Sequence, residues 1–270
     1  MEIDILLNQS LPAIGLELLV LFAVANGLGF RIGRKAGGPD GEEKRERAAG
    51  TITGAMLALL GFLLAISLSM ADSHFQVRRR QVLDEANAIG TSVLRAQTIG
   101  GPRGTEIVRL LRDYARLRLD FFAAGEDARR LDLVNRQTSD LQQRIWDHAS
   151  AIARAADTPV NALLLSTLND TFDLAMARRW GLEVRVPSYV ISLLLVLSIL
   201  TMGLMGYYFG VCGVRYPVLS GVLFVAFAVA ILLVMDLNRP RAGFIKAEQS
   251  ALVWLVEDMS QEPPVPAAAP

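Results

Sequence analysis

Four apolar runs, at about residues 11–30, 50–71, 188–211 and 217–236, constrain this chain more than anything else in it. Each has about 20 residues, the length an α-helix needs to cross the hydrocarbon core of a bilayer. Inside that core every backbone N–H and C=O must find a partner within the protein, so only helices and closed barrels span it. The runs are too long and too evenly apolar for barrel strands. The sequence therefore predicts an all-α integral membrane protein with four transmembrane helices.

Charge is placed accordingly. The chain has 27 basic and 27 acidic side chains, so no basic excess points to a nucleic-acid partner. Residues 72–186 hold 17 Arg against 15 Asp plus Glu, while the apolar runs hold almost none. Cys212 is the single cysteine, with no partner for a disulfide or a zinc motif. It reads as a small apolar side chain in a helix. His74 and His148 fall in different predicted helices and have no ligand spacing. Nucleophile-elbow, zinc-protease and phosphate-loop motifs are absent. The expectation is no enzyme, no cofactor and no metal. Ala23-Val24-Ala25 resembles a cleavage site, but Glu2 and Asp4 stand where a signal peptide has basic residues. The first run is expected to be a retained helix.

The division expected is 1–71 (two spans and a basic loop over 31–49), 72–186 (an extramembrane helical insert), 187–236 (two more spans) and 237–270. The last part is read as a short amphipathic helix over 244–259, with Trp254 at the membrane interface, and a disordered Pro/Ala tail. No proline interrupts Thr51 to Thr98, so one helix of ~48 residues, ~72 Å long, is predicted to leave the membrane and continue into water. Apolar residues then recur at helical spacing through the insert: Val82, Ala86, Ile89 and Val93; Ile107, Leu110, Tyr114, Leu117 and Phe121; Leu131, Val134, Leu141 and Ile145; Leu164, Leu168 and Phe172. Glycines at 100, 101, 104 and 125 separate the segments, Thr105 is the expected cap of the second, and Asp157 or Thr158 with Pro159 opens the last. Four helices with short connections make an antiparallel bundle, and an even number returns the chain to the side it left.

Three sets of residues are candidates for function. Thr51, Gly54, Ala58, Gly61, Ala65 and Ser69 lie on one face of the second span. Such a face lets helices pack closely in lipid, or lines a narrow pore. Glu17 is an ionisable residue within the first run, with Asn26 further along. The third set is tiered. If the first and last bundle helices run antiparallel, residues whose numbers total about 258 lie at equal height. Arg78, Arg79 and Arg80 then stand level with Arg178 and Arg179. Asp84 and Glu85 stand level with Asp173 and its neighbours, one or two turns out. Diagonal ion pairs such as Arg80 to Asp173 would join the helices, and in a symmetric oligomer each tier becomes a charged ring. The first loop carries Arg31, Arg34, Lys35, Lys44, Arg45 and Arg47. By the positive-inside rule this short juxtamembrane loop points to the cytoplasm and the bundle to the extracytoplasmic side. Arg78, Arg79, Arg80, Arg178, Arg179, Arg185, Arg239, Arg241 and Lys246 near the opposite faces, nine against seven with Arg215 added to the loop, point the other way.

DEANAIGTSVLRAQ (84–97), LNDTFDLAMARRW (168–180) and MDLNRPRAGFIKAEQ (235–249) resemble hallmarks of the bacterial bestrophin-like domain family, a domain of unknown function. The resemblance covers about residues 50–250. It implies a bacterial inner membrane, four spans with a helical insert, and kinship with bestrophins, which are pentameric anion channels with the second span around the pore. From the motifs it carries over Asp84, Glu85, Asn87, Gly90, Asn169, Asp173, Arg178, Asp236, Arg239 and Pro240. Bestrophin throats are bulky and apolar, for which Leu57, Leu60 and Phe62 are available here. In bestrophins the insert is cytosolic, against the charge reading of the first loop. The calcium clasp of animal bestrophins has no counterpart in the tail. The function expected is a homo-oligomeric ion channel in the lipid bilayer, with anions drawn by the arginine tiers. The second reading is a membrane-anchored sensor or scaffold acting through a separate partner.

Overall fold

A computed structural model describes residues 9–36 and 42–261. The described residues form helices and no strands: α1 (Leu11–Ala36), α2 (Glu42–Ile99), α3 (Gly101–Ala123), α4 (Ala128–Ala155), α5 (Pro159–Gly181), α6 (Ser188–Val211), α7 (Pro217–Leu237) and α8 (Ser250–Gln261). Helices α1, α2, α6 and α7 are long and apolar enough to cross a membrane. The chain divides into two compact units, residues up to Ser73 with Arg185–Arg239, and His74–Val184 with the residues from Pro240 onward.

In the first unit Leu18, Phe22, Leu60, Leu194, Met202, Phe224 and Ile231 form the core. Its closest contact joins α1 to α6. A Cβ built on Gly29 would lie 1.9 Å from the Gly203 carbonyl oxygen, and one on Gly33 would lie 2.1 Å from that of Tyr207. On the facing helix, a Cβ on Gly206 would lie 2.0 Å from the Asn26 oxygen, and one on Gly210 would lie 2.3 Å from the Phe30 oxygen. Two Gly-x-x-x-Gly faces thus meet backbone to backbone, the arrangement that holds helices together where no hydrophobic effect drives them. Asn26 adds a hydrogen bond from Nδ2 to the Met202 carbonyl at 3.1 Å. Numbers rise together on both helices, so α1 and α6 are parallel. Thr53 donates to the Leu204 carbonyl, and Cys212 Sγ lies 3.4 Å from Glu46 Oε1, which sets α2 antiparallel to α6.

The polar loop expected over 31–49 is mostly helix. Helix α1 runs on to Ala36 and α2 begins at Glu42. An apolar run ends where lipid ends, but a helix need not. Arg34 and Lys35 in the last turn of α1 complement its negative end, and Arg47 pairs with Glu43 one turn away at 2.5 Å. Residues 37–41, with the expected Gly/Pro break, lie outside the described residues, as does the Pro/Ala tail after Gln261.

In the second unit α2 from His74, together with α3, α4 and α5, surrounds a core of Ile89, Val93, Ile107, Leu111, Tyr114, Ile145 and Leu168. Asp127 caps α4 by accepting from the Arg129 and Arg130 amides, and Thr158 caps α5 with Pro159 in its first turn. Thr105 caps nothing. Helix α3 starts at Gly101, because Gly100 and Gly101 both take φ +66°, which turns the chain almost at once. Thr105 instead donates to the Gly101 carbonyl within the helix. The tail also departs from expectation. Helix α8 starts at Ser250 rather than near Phe244, and its Leu252, Leu255, Val256 and Met259 pack into this same core. A free interfacial helix would leave that apolar face without a protein partner. Trp254, on the opposite side, is exposed.

Candidate functional site

The outer face of α2 in the first unit is unoccupied by the other described residues. Thr51, Gly54, Ala58, Gly61, Ala65 and Ser69 are all exposed, and a Cβ built on Gly54 or Gly61 meets nothing within 4 Å. The side turned inward is Thr53, Leu60 and Ser67. The small stripe therefore does not serve packing inside one chain. Beside it runs a second exposed column, Ile52, Leu59, Phe62 and Ile66, spaced by seven, three and four. Of the three bulky residues expected to be available for a throat, Leu60 is fully buried and Leu57 half-buried, while Phe62 is 62% exposed. Leu59 and Ile66 were missed because an apolar residue in an apolar run carries no sign of which way it faces. Glu17 is exposed on α1 beside Leu16 and Val20, about 9 Å along the helix from Leu11.

In the second unit the residues of each tier differ in exposure. Arg78 and Arg178 are buried, whereas Arg79, Arg80 and Arg179 are exposed. Glu85 is fully buried between two arginines: Arg118 Nε donates to one carboxylate oxygen at 2.5 Å and Arg178 Nη1 to the other at 2.6 Å. Glu85, expected level with Asp173, meets Arg178 instead, about one turn along α5. Side-chain length explains the shift, since a long guanidinium reaches back along the helix to its acid. Arg80 and Asp173 form no ion pair. Asp173 accepts from Asn169 Nδ2 at 2.9 Å, and it lines an open groove with Asp84, Asn87, Thr91 and Asp170.

The cluster extends to the C-terminal segment. Arg178 Nη2 also donates to Gln249 Oε1, Arg118 donates to the Ala175 carbonyl, and Arg78 to that of Val184. Burial pulls the Arg178 guanidinium below its usual range, and the Glu85 carboxylate opposes that shift. The Phe121 ring has Arg118 and Arg241 each 4.7 Å from its centroid, and Arg241 donates to the Gly125 carbonyl. Arg118 and Gln249 were missed at the level of sequence. The signal was there: Arg118 sits four residues after Tyr114 and three before Phe121, on the apolar face of α3. A charge on such a face is a buried charge in need of a partner.

Tyr114 lies in the same core, buried, with Gln142 Nε2 donating to its hydroxyl at 3.3 Å. Burial pushes its phenol from 10.0 up to about 12. The folded value lies above the unfolded one, so the stability it contributes is whole below pH 10 and is lost as pH rises toward about 12. The loss amounts to about 2–3 kcal/mol at most. Tyr114→Phe is expected to flatten the fall of the thermal midpoint across that window while leaving the neutral-pH midpoint little changed.

The family-motif residues at the end of α7 fasten the first unit. Asn238 Oδ1 accepts from the Val186 amide at 2.6 Å, and Arg239 Nη1 donates to the Gln9 carbonyl at 2.7 Å. Asp236 and Arg239 are buried there. Pro240 is buried in the second unit, where Gly90 lets Leu255 approach α2 at van der Waals range. Among the described residues no group of three or more His, Cys, Asp and Glu side chains could hold a metal ion.

A family model for the bestrophin-like domain matches residues 19–252. Solved structures of a bacterial bestrophin homolog from Klebsiella pneumoniae share the fold. A tryptophan-to-alanine variant aligns with a TM-score of 0.71 at 15% identity, covering 94% of this chain and 100% of that one. A zinc-phased structure aligns at 0.62, again at 15% identity and covering 94% and 100%. No curated protein sequence matches.

Proposed function

Because this chain belongs to the bestrophin-like domain family, we propose that it assembles as a homo-oligomeric ion channel in a bacterial inner membrane, with four spans per subunit and α2 around the pore. The observation that carries this reading is the bare outer face of α2, apolar and small-residue columns side by side with no partner inside the chain. Around an axis, Leu59, Phe62 and Ile66 form a hydrophobic constriction of the kind that gates by dewetting. Arg79, Arg80 and Arg179 draw anions toward it. A second sign of charge has its own support, because the groove lined by Asp84, Asp170 and Asp173 against the single cation Arg95 favours cations. The basic α1–α2 end supports, by the positive-inside rule, a bundle outside the cytoplasm.

The test is flux from liposomes holding the purified protein. Chloride and sodium gradients are expected to dissipate at different rates, and the faster ion gives the selectivity. Phe62→Ala is expected to raise the flux severalfold, and Gly61→Cys to make it sensitive to a membrane-impermeant thiol reagent. Flux equal to that of empty liposomes would favour the scaffold reading, in which the same face of α2 receives another protein.

A further inference from the structure

The first unit also holds a cleft that the channel reading does not use. Helices α1 and α7 run antiparallel, with Gly15 against Leu232 and the Phe22 ring 6.1 Å from that of Phe224. Toward the C-terminal end of α1 a cavity of about 320 Å³ lies between them. Phe30, Phe209, Tyr216 and Phe224 wall it, with the Phe209 and Tyr216 rings edge to face at 5.7 Å. Asn26, Arg215 and Ser220 supply its polar groups. The Arg215 guanidinium lies 3.9 Å from the Phe30 ring centroid, and among the described residues it forms no ion pair. On α2, Glu43 pairs with Arg47, and Glu46 accepts from the Cys212 thiol. Ser220 is 6% exposed, yet its hydroxyl makes no hydrogen bond to a described residue. Ser67, Ser192 and Ser198, by contrast, each donate to the carbonyl one turn back.

The cleft's depth follows from the chain. The apolar run of α1 ends at Phe30, with Arg31, Arg34 and Lys35 next, and α7 starts two residues after Arg215. The mouth therefore stands where hydrocarbon gives way to headgroups. A guanidinium offers phosphate several N–H donors at once. The start of α7, which has no side-chain cap, adds its positive end. At roughly 30 Å³ for each small group, the cavity has room for about ten of them, a phosphoglycerol head with the first carbons of a chain.

We infer that this cleft binds an anionic phospholipid. Its phosphate sits on Arg215, the first carbons of one chain lie between the aromatic walls, and Ser220 donates to a glycerol or ester oxygen. The rest of the tail stays in the surrounding bilayer. The basic mouth favours a headgroup of net negative charge over a zwitterionic one. The lipid clamps α1 to α7 inside one subunit, so the site does not need the protein to conduct.

The experiment uses the full chain in detergent. Phosphatidylglycerol added to the micelles is expected to raise the thermal midpoint by several degrees and to saturate. Phosphatidylcholine with the same chains, and inorganic phosphate, are expected to leave it unchanged. Arg215→Gln is expected to abolish the rise. Gly27→Leu fills the cavity from a position where a Cβ meets nothing within 4 Å, and is expected to abolish the rise without lowering the midpoint in detergent alone. Should that variant fail to fold, Arg215→Gln, a change in an exposed turn, decides alone. Native mass spectrometry is expected to find phosphatidylglycerol retained by the wild type and lost from Arg215→Gln. An equal rise with phosphatidylcholine or with inorganic phosphate overturns the inference, as does an undiminished rise in Arg215→Gln. Flux is measured separately, so a failure of the channel reading leaves this result untouched.

Discussion

Glu85→Gln is expected to lower the thermal midpoint of the detergent-solubilised protein by roughly 10 °C. The carboxylate is fully buried and takes a guanidinium on each oxygen. Glutamine keeps the shape but offers one acceptor and turns an N–H toward the other arginine. Two buried cations then face each other with no counter-charge. Removing one partner from a buried ionic cluster costs about 3–5 kcal/mol, because what remains is an uncompensated charge. Arg118→Met is expected to cost less, since it leaves Glu85 and Arg178 paired one to one. Changing all three together, Glu85→Leu with Arg118→Met and Arg178→Met, is expected to recover most of the loss. Differential scanning fluorimetry on the four proteins checks the order. A Glu85→Gln midpoint within two or three degrees of wild type would mean that the cluster is hydrated in solution.

Gly206→Leu is expected to abolish folded protein in the detergent extract. A Cβ at that position falls 2.0 Å from a main-chain oxygen, that of Asn26, which no rotamer change moves away. The helices must separate, and with them goes the hydrogen bond from Asn26 to the Met202 carbonyl. Even Gly206→Ala is expected to cost about 1–3 kcal/mol, as overpacking does elsewhere. Gly54→Ala and Gly61→Ala, on the bare face of α2, are the controls. A Cβ there meets nothing, so a single subunit loses no stability. The check is the monodisperse fraction on size exclusion. A Gly206→Leu protein that elutes as wild type would rule out the close α1–α6 contact.

Much of this was legible in the chain. The membrane sets a length, and length survives in sequence as an unbroken apolar run, so the four helices long and apolar enough to cross one could be read with no knowledge of their neighbours. Capping is equally local: Thr158 and Pro159 announce the start of α5 by themselves. Orientation around a helix axis is not local. The small stripe of α2 and the glycines of α1 and α6 look alike as text, yet one faces outward and the others touch main chain. Gly33 was harder still, because it fell in the stretch that read as a polar loop. The heights along the first and last bundle helices were read to within about a turn, as Gln81 on the Ala177 carbonyl shows, but the partner of Glu85 was not, since α-carbon heights take no account of the reach of an arginine. Arg118 was written in the open, a charge on an apolar face, but its acid lies 33 positions earlier.

The bundle's core is finished by residues made later than the rest of it. Glu85, Arg118 and Arg178 leave the ribosome well before Gln249 and α8, with the two long apolar helices α6 and α7 made in between. At about 5–20 residues per second, the wait from Arg118 to Gln249 is on the order of ten seconds. Through that interval the arginines keep their water and the apolar face that awaits Leu252 and Met259 stays open. A message truncated just after α7 would therefore yield a protein with every long apolar helix made and the core of its second unit unsealed, a ready substrate for quality-control proteases.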